Sequence, residues 1–444
     1  MRNTLCFGKT VILSGALAVL PLGAARAYAD MGPWSQYQGD ALHDGYVAGD
    51  INPAGINRLW SVSAGGLNVL DVVPGAATDG QHVYISALVG PASDGFSNYD
   101  VFALETATGS VAWSQPFAPY SPYGLSQPST GNGMVYVDGY GEAGGIAADD
   151  PFVEGLNAGT GQPVFETTHS GQWTAGSRPV VSGSQVFAAG GEYGGLDGYD
   201  AQTGAHQWFA GVNQQYGWIP AADSTDVYVY MGSAGASPGP GVGTFYAVNR
   251  TTGALDYSIQ NPNDNYAYTY YNGTVFLGQN HDAITRANGV HGNELISFDL
   301  ASHGIAWQAF GNYTGSVAIH NGIVYADNGV ELSLLNEATG ATTKNWIAPA
   351  GTSLTGNLLV TDNLIFAQTT DQSGNPETYA IDPSTMTAVW SVANGGDLAL
   401  GSNLLLISNS SSLTAYAVPV PASLSLLGLG LGTTILLLRR RMTG

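Results

Sequence analysis

The chain has 444 residues, 62 of them glycine, and a formal net charge of −22. Six of its 11 basic residues lie near the two ends. The stretch between them carries five basic and 33 acidic residues, a charge of about −28. This charge excludes nucleic acid and anionic lipid surfaces as partners, because both are bound through clustered Lys and Arg. The one cysteine, Cys6, lies near the N-terminus, so the rest of the chain has no disulfide and no thiol chemistry.

Residues 1–29 have the features of a secretory signal peptide. Arg2 and Lys9 are positive, residues 11–23 are apolar, and small residues at 25–29 fit a cleavage site. A retained N-terminal anchor is the alternative. The sequence therefore predicts a signal helix that is removed on export.

The other end predicts a transmembrane helix over 422–438. This uncharged run would give roughly 26 Å of helix, close to the ~30 Å of a bilayer core. Arg439, Arg440 and Arg441 follow at once and would hold that end in the cytoplasm. A buried core element is the alternative.

The C-terminal segment 418–444 resembles the PEP-CTERM sorting signal of Gram-negative bacteria. The matching residues are Val418, Pro419, Pro421 and Ala422, followed by the apolar span and the arginine cluster; Val420 stands where that family has Glu. The resemblance implies an exosortase-type processing enzyme as a partner, and cleavage near residues 419–422. It also implies transient membrane anchoring through the helix, followed by release or transfer to the cell surface or its exopolysaccharide.

Between the ends, one phrase recurs seven times at steps of 36 to 52 residues. A strand ends in Asp, Asn or Glu, a turn with glycine follows, and the next strand brings an aromatic ring. The predicted turn residues are Gly109, Gly161, Gly204, Gly253, Gly304, Gly340 and Met386. The aromatic residues are Trp113, Phe165, Trp208, Tyr257 and, at slightly shifted spacing, Trp307, Trp346 and Trp390. The steps are typical of four-stranded propeller blades.

An eighth copy at 401–418 lacks its last strand. The segment near 57–64, which carries Trp60 without an earlier partner, can supply that strand and leave no free sheet edge. The sequence therefore predicts an all-β fold: an eight-bladed β-propeller of four-stranded antiparallel blades over residues 30–417.

The repeated phrase resembles the PQQ-type repeat of quinoprotein dehydrogenases and of outer-membrane assembly scaffolds related to BamB. Residues 34–46 are also similar to the lead-in of such proteins. The resemblance implies the fold, but fold alone does not carry chemistry. A PQQ-dependent dehydrogenase would bring calcium ligands beside the quinone and often a cysteine pair, and no such set can be placed in this sequence, so this is the least favoured function.

Three groups of residues are candidate sites. Long connections at 86–99, 138–152, 232–243 and 279–293 share one face and carry Asp94, Glu142, Asp149 and Asp150, whose adjacent pair could bind calcium. His281, Asp282 and His291 could bind zinc. Tyr266, Tyr268, Tyr270 and Tyr271 could stack on sugars. A solvated surface, exposed loop histidines and strand packing are the favoured interpretations, because no spacing matches a known site.

We therefore expect an exported binding or scaffold module at the cell surface or in the extracellular matrix. Exopolysaccharide or another surface protein is the expected partner, and no catalytic, metal or cofactor-binding residue is assigned. An extracellular glycan-active enzyme that uses the loop-rich face and a periplasmic BamB-like scaffold are the alternatives.

Overall fold

The computed structural model describes residues 31–91, 97–117, 124–140, 151–169, 178–190, 194–212, 219–231, 242–264, 274–289 and 292–419. These residues belong to one unit, Asp30–Pro421. The predicted signal helix and transmembrane helix lie outside the described residues. Within the described part of the chain, no helix has the length and apolarity to span a bilayer.

The described residues form eight antiparallel sheets. The chain enters through a short 3₁₀ turn (Pro53–Gly55), β1 (Asn57–Ser63) and α1 (Ala64–Leu67). Blade 1 contains β2 (Asp71–Val72), β3 (Ala77–Thr78), β4 (His82–Pro91), β5 (Ser97–Glu105) and β6 (Val111–Pro116). Blade 2 contains β7 (Gly124–Leu125), β8 (Ser129–Gly131), β9 (Met134–Tyr140), β10 (Phe152–Asn157) and β11 (Pro163–Thr168).

Blades 3 to 5 have four strands each. Blade 3 contains β12 (Val180–Ser182), β13 (Gln185–Ala189), β14 (Leu196–Asp200) and β15 (His206–Ala210). Blade 4 contains β16 (Ala221–Ala222), β17 (Asp226–Met231), β18 (Gly243–Asn249) and β19 (Leu255–Asn261). Blade 5 contains β20 (Val275–Leu277), β21 (Asp282–Gly289), β22 (Gly292–Asp299) and β23 (Gly304–Phe310).

Blades 6 to 8 complete the ring. Blade 6 contains β24 (Ala318–His320), β25 (Ile323–Asn328), β26 (Glu331–Asn336) and β27 (Thr342–Ile347). Blade 7 contains β28 (Thr352–Val360), β29 (Ile365–Asp371), β30 (Pro376–Asp382) and β31 (Thr387–Val392). Blade 8 contains β32 (Asp397–Gly401), β33 (Leu404–Asn409) and β34 (Ser412–Ala417), with β1 as its outer strand.

The sheets are arranged as blades around an axis, because the first strand of each blade lies against the first strand of the next, from β3 through β8 and onward to β32. The middle strands are rich in β-branched and aromatic residues and are buried between neighbouring blades, as in β13 and β17. The eight-bladed architecture of four-stranded antiparallel sheets is therefore confirmed.

Blade 8 is closed by strands from distant parts of the chain. Trp60 of β1 pairs with Ala415 of β34, and Arg58 pairs with Tyr416. The backbone N–H of Asn52 also donates to the carbonyl of Pro419, at 3.1 Å. This pairing leaves no long unpaired edge where the ring begins and ends.

An inter-blade lock recurs around the ring: an aromatic ring on the outer strand of one blade packs on the glycine of the next blade's outer hairpin. A Cβ atom on that glycine would lie 2.1 to 2.8 Å from the ring, at the pairs Trp60–Gly109, Trp113–Gly161, Phe165–Gly204, Trp208–Gly253 and Trp307–Gly340. Where the ring is an indole, its N–H donates to the carbonyl one residue past the strand end, at Thr106, Ala158, Arg250 and Glu337.

Two predicted positions of this lock are wrong. In blade 5 the left-handed residue is His303, with φ 54°, and not Gly304, because Asp299 Oδ1 accepts from the N–H groups of Ala301 and Ser302 and thereby sets the turn. Trp307 lies as many residues after Asp299 as the aromatic residues of the other blades lie after the acidic or amide residue that begins their turn.

In blade 6 the lock position belongs to Lys344 and not to Trp346. Lys344 Nζ donates to the carbonyl of Pro383 at 2.9 Å, which is the position that the indole N–H groups reach in other blades. Trp346 packs on Tyr379 instead, with ring centroids 5.4 Å apart.

Residues 31–47, the axial segment, bond to the first strand of every blade. Eight of its backbone carbonyls accept hydrogen bonds from seven backbone N–H groups, those of Ser402, Thr78, Thr130, Ala222, Leu277, Ile319 and Val360. Blade 3 is met by the side chain of Gln36, which bonds to both backbone groups of Val181. The segment thus lies across the inner ends of all eight blades.

Candidate functional site

The axis of the ring holds a group of charged and aromatic side chains from blades that are not neighbours. Arg178 precedes the first strand of blade 3 and Asp397 begins that of blade 8, yet Arg178 Nη2 lies 3.6 Å from Asp397 Oδ2. The Arg178 guanidinium also lies 4.7 Å from the centre of the Tyr37 ring. Tyr37 Oη bonds to Ser316 Oγ, just before the first strand of blade 6. Tyr37 and Arg178 together therefore link blades 3, 6 and 8 across the axis.

Arg286 adds a second guanidinium near this group. Its Nη1 donates to the carbonyl of Thr314, and Thr314 Oγ1 donates to Asp327 Oδ2 at 3.1 Å. Burial raises the pKa of Tyr37, and the nearby charges of Arg178 and Arg286 partly oppose that rise. Two of the five basic residues of an acidic body thus lie close to the axis.

Titratable side chains of the axial segment have pKa values shifted by burial. Burial lowers the pKa of His43 to about 4, and its Nδ1 meets the carbonyl of Val275 at 3.1 Å. Burial, with a smaller contribution from the Asp40 carboxylate, raises the pKa of Asp44 to about 7. Burial thus disfavours the charged forms of His43 and Asp44, which lie on the same segment as Tyr37.

A quinone cofactor, which the resemblance to quinoprotein dehydrogenases raises, does not fit between these axial residues. A flat ring system inserted between the Tyr37 ring and the Arg178 guanidinium would need these two groups to lie roughly 7 Å apart, because it would make a van der Waals contact with each of them. The separation is 4.7 Å, so the two side chains are already in contact.

Sequence reasoning missed a second polar group, between blades 2 and 3. His206 Nε2 lies 2.8 Å from Asp197 Oδ1, and His169 Nε2 lies 3.7 Å from Asp138 Oδ1. Burial raises the pKa of Asp197, while the hydrogen bond from His206 opposes that rise. Residues so far apart in the chain leave no spacing that could have revealed the group.

The sequence-predicted processing residues are only partly described. Val418 is 1% exposed and its N–H donates to the carbonyl of Asn403, at 2.9 Å. Pro419 packs against Gly55, where a Cβ atom would lie 2.4 Å from the proline ring. Both residues belong to the closing seam of blade 8. Pro421, Ala422, Arg439, Arg440 and Arg441 lie outside the described residues.

The candidate metal and sugar residues are not brought together in the described part of the chain. His281 is exposed in a turn, while Asp282 is buried beside Glu337 and Ser297. Over the described ranges, no group of three or more His, Asp or Glu side chains could hold a metal ion. The remaining candidates lie outside the described residues: Asp94, Glu142, Asp149, Asp150, His291, Tyr266, Tyr268, Tyr270 and Tyr271.

Solved structures share this fold at low sequence identity. BamB from Moraxella catarrhalis has a TM-score of 0.55 and 15% identity, covering 81% of this chain and 97% of that one. A quinohemoprotein alcohol dehydrogenase from Pseudomonas putida has a TM-score of 0.59 and 13% identity, covering 88% and 81%. That from Comamonas testosteroni has a TM-score of 0.50 and 12% identity, covering 89% and 81%. These likenesses show the fold alone.

Comparison with curated protein sequences found no significant match. The family model for "Outer membrane protein assembly factor BamB" matches residues 149–392, more than half of the chain. These residues run from the third strand of blade 2 to the end of blade 7, so the match rests on the repeated blades themselves. The chain therefore belongs to the BamB family of PQQ-type repeat proteins.

Proposed function

We propose that this protein is an exported, non-enzymatic scaffold at the cell surface or in the extracellular matrix. It binds exopolysaccharide or another surface protein through the faces of the propeller. An exosortase-type enzyme processes its C-terminal segment after transient membrane anchoring.

One observation carries the scaffold proposal: the described axial side chains are engaged with one another. Arg178 pairs with Asp397 and contacts Tyr37, and the axial segment bonds to every blade. In a propeller whose axis is occupied in this way, the surfaces of the faces remain for recognition. The match to a family described as an assembly factor also supports a role in binding.

The test of the scaffold against a glycan-active enzyme is a glycan array followed by product analysis of every glycan that binds. The scaffold proposal expects binding without turnover. Shortened glycans in the product analysis would replace it with the enzyme alternative.

The sorting proposal is supported by the arrangement of the closing seam. Val418 and Pro419 pack in blade 8, so a cut beyond Pro419 would leave the ring intact. Intact-mass analysis of the mature protein from its native host should find a C-terminus between residues 419 and 422. A mature protein that keeps residues 423–444 would contradict the proposal.

A periplasmic assembly scaffold is the second candidate, and the BamB family match favours it. Cell fractionation separates the two. Recovery in the periplasm, with cross-links to outer-membrane proteins, would support this candidate, whereas recovery in the medium or on the outer surface would support the first.

A further inference from the structure

The junction between blades 4 and 5 departs from the aromatic–glycine lock, and in a different way from the junction that Lys344 makes between blades 6 and 7. Tyr257 stands where Trp113 and Trp208 stand in their blades, and His303 stands where they meet a glycine. The two rings stack with centroids 3.7 Å apart and planes 12° apart. His303 adopts φ 54°, in the left-handed region that glycine occupies at the regular locks.

A cleft of about 400 Å³ opens beside this stack. Its lining includes three carboxyl groups, from Asp223, Asp226 and Asp256, together with Tyr257 and His303. Tyr228 Oη donates to Asp223 Oδ2 at 2.9 Å, and Asn249 Nδ2 donates to Asp256 Oδ2 at 3.3 Å. The cleft is thus rich in hydrogen-bond acceptors that bear negative charge.

Asp226 is the residue that points to a ligand. It is 7% exposed, it lines the cleft, and its Oδ1 makes no hydrogen bond of ordinary geometry among the described residues. Its carboxyl interacts with that of Asp256, and burial, followed by this contact, raises the pKa of Asp226 to about 7. Two neighbouring carboxyl groups disfavour each other's ionisation, so a cation from outside the chain would stabilise this arrangement.

We propose that the cleft between blades 4 and 5 binds the guanidinium or ammonium group of a basic side chain from a partner protein. The cationic group would donate to Asp226 and Asp256 and lie beside the stacked rings of Tyr257 and His303. This inference goes beyond the export and scaffold proposals and does not depend on them, because it concerns one site on the purified chain.

The donor inventory favours a basic side chain over a sugar or a metal ion. Guanidinium and ammonium groups only donate hydrogen bonds, whereas sugar hydroxyl groups need both donors and acceptors. The three carboxyl groups are the charged acceptors of the cleft, and its donors are the side chains of Thr225, Tyr228, Tyr257, His281 and His303. Among the described residues, those of the cleft included, no group of three or more His, Asp or Glu side chains is arranged to hold a metal ion. Planar guanidinium groups also bind paired carboxylates well and stack on aromatic rings.

The test is isothermal titration calorimetry of the full-length protein with N-acetyl-arginine amide. N-acetyl-citrulline amide, a neutral analogue of the same shape, and N-acetylglucosamine, a neutral sugar, serve as the comparison ligands. The arginine derivative should bind, and both comparison ligands should bind at least about tenfold more weakly, as expected for loss of a charge-assisted hydrogen bond. Equal binding of the citrulline derivative or of N-acetylglucosamine, or no binding of the arginine derivative, would overturn the proposal.

Two variants locate the site and one serves as the matched control. Asp256→Asn changes an exposed residue and should weaken arginine binding at least about tenfold. Tyr257→Trp with His303→Gly restores the regular lock and should abolish binding. Asp50→Asn removes one exposed charge outside the cleft and should leave the affinity within about twofold. An equal loss in Asp50→Asn and Asp256→Asn would mean that only the overall negative charge attracts the ligand, and would refute the site.

Discussion

At the turn between the third and fourth strands of most blades, there is no room for a side chain. Gly253 has φ 70°, and a Cβ atom on it would lie 2.8 Å from Trp208. Both the backbone conformation and the neighbouring ring therefore require glycine. Gly133 has a similar φ of 74° but faces open space, so it separates the two effects.

We expect Gly253→Ala to be clearly more destabilising than Gly133→Ala. The control carries only the backbone cost of about 1 kcal/mol. Gly253→Ala adds a clash with Trp208 worth about 1–3 kcal/mol. Urea denaturation gives both free energies of unfolding. Equal losses in the two variants would mean that the packing of Trp208 on the turn contributes nothing.

The indole hydrogen bond of the lock can be tested separately from its packing. Trp307 Nε1 donates to the carbonyl of Glu337 at 2.6 Å, while the indole of Trp390 makes no hydrogen bond within the described residues. Trp307→Phe should therefore lower the free energy of unfolding by about 1–3 kcal/mol more than Trp390→Phe, because it leaves a buried carbonyl unpaired. A comparable loss in both variants, measured by urea denaturation, would indicate that only ring volume matters.

Sequence reasoning succeeded for most lock residues because glycine and tryptophan recur at a fixed distance from an acidic or amide side chain. It failed at His303, because the adjacent Gly304 was taken as the left-handed turn residue. Counting from Asp299, whose carboxylate sets the turn, would have found the correct position. The same count from Asn336 leads to Lys344, but an ammonium group stands there in place of an aromatic ring, so the nearby Trp346 was assigned instead.

At the scale of elements, the pairing of β1 with β34 is the joint that closes the ring. Ser61 Oγ and Thr414 Oγ1 face each other across this pair, 2.9 Å apart. The sequence could indicate β1 as the outer strand of blade 8, because Trp60 resembled a lock residue without a blade of its own.

A disulfide at this joint should stabilise the protein. Ser61→Cys with Thr414→Cys places two thiols on facing residues and joins segments more than 350 positions apart. Such long loops give up to about 4–5 kcal/mol in the chain-entropy model, although engineered bonds usually give less. The melting temperature of the oxidised variant should exceed that of the wild type, and a reducing agent should remove the gain. An unchanged melting temperature would mean that this joint is not where unfolding begins.

The axial segment could not be predicted beyond a likeness to a lead-in. Its bonds to the blades run mostly through backbone carbonyls, which leave no mark in the sequence, and its partners lie 40 to more than 300 residues away. The same reason hid the axial site. Arg178, Asp397 and Tyr37 meet only because the ring closes, and nothing local to any of them signals the others.

At the scale of the whole molecule, buried carboxyl groups tie stability to pH. Burial, followed by the charge of Glu166, raises the pKa of Glu154 to about 8. Burial, followed by the contact with Glu337, raises the pKa of Asp282 to about 8. In the unfolded chain both titrate near pH 4. Between about pH 4 and 8 the folded protein therefore holds protons that the unfolded chain has lost, so stability falls as pH rises.

We expect the free energy of unfolding to be lower at pH 8.5 than at pH 5.5, by about 1 kcal/mol or more for each such group. Asp282→Asn isolates one group, because Asn copies the neutral acid and can still donate to Glu337. At pH 8.5 this variant should be more stable than the wild type, and at pH 5.5 the two should differ little. Urea denaturation at the two pH values measures these differences. An Asp282→Asn variant that is less stable than the wild type at pH 8.5 would contradict the raised pKa of Asp282.

The contact of residues 31–47 with every blade has a consequence for how the molecule comes apart. Repeat proteins can unfold in parts, because each repeat contacts only its neighbours. Here every blade also bonds to the axial segment, so the unfolding of any blade that displaces this segment removes hydrogen bonds from the other blades. Calorimetry should therefore show a single cooperative unfolding peak for the whole ring. Partly folded rings should not be populated during the transition.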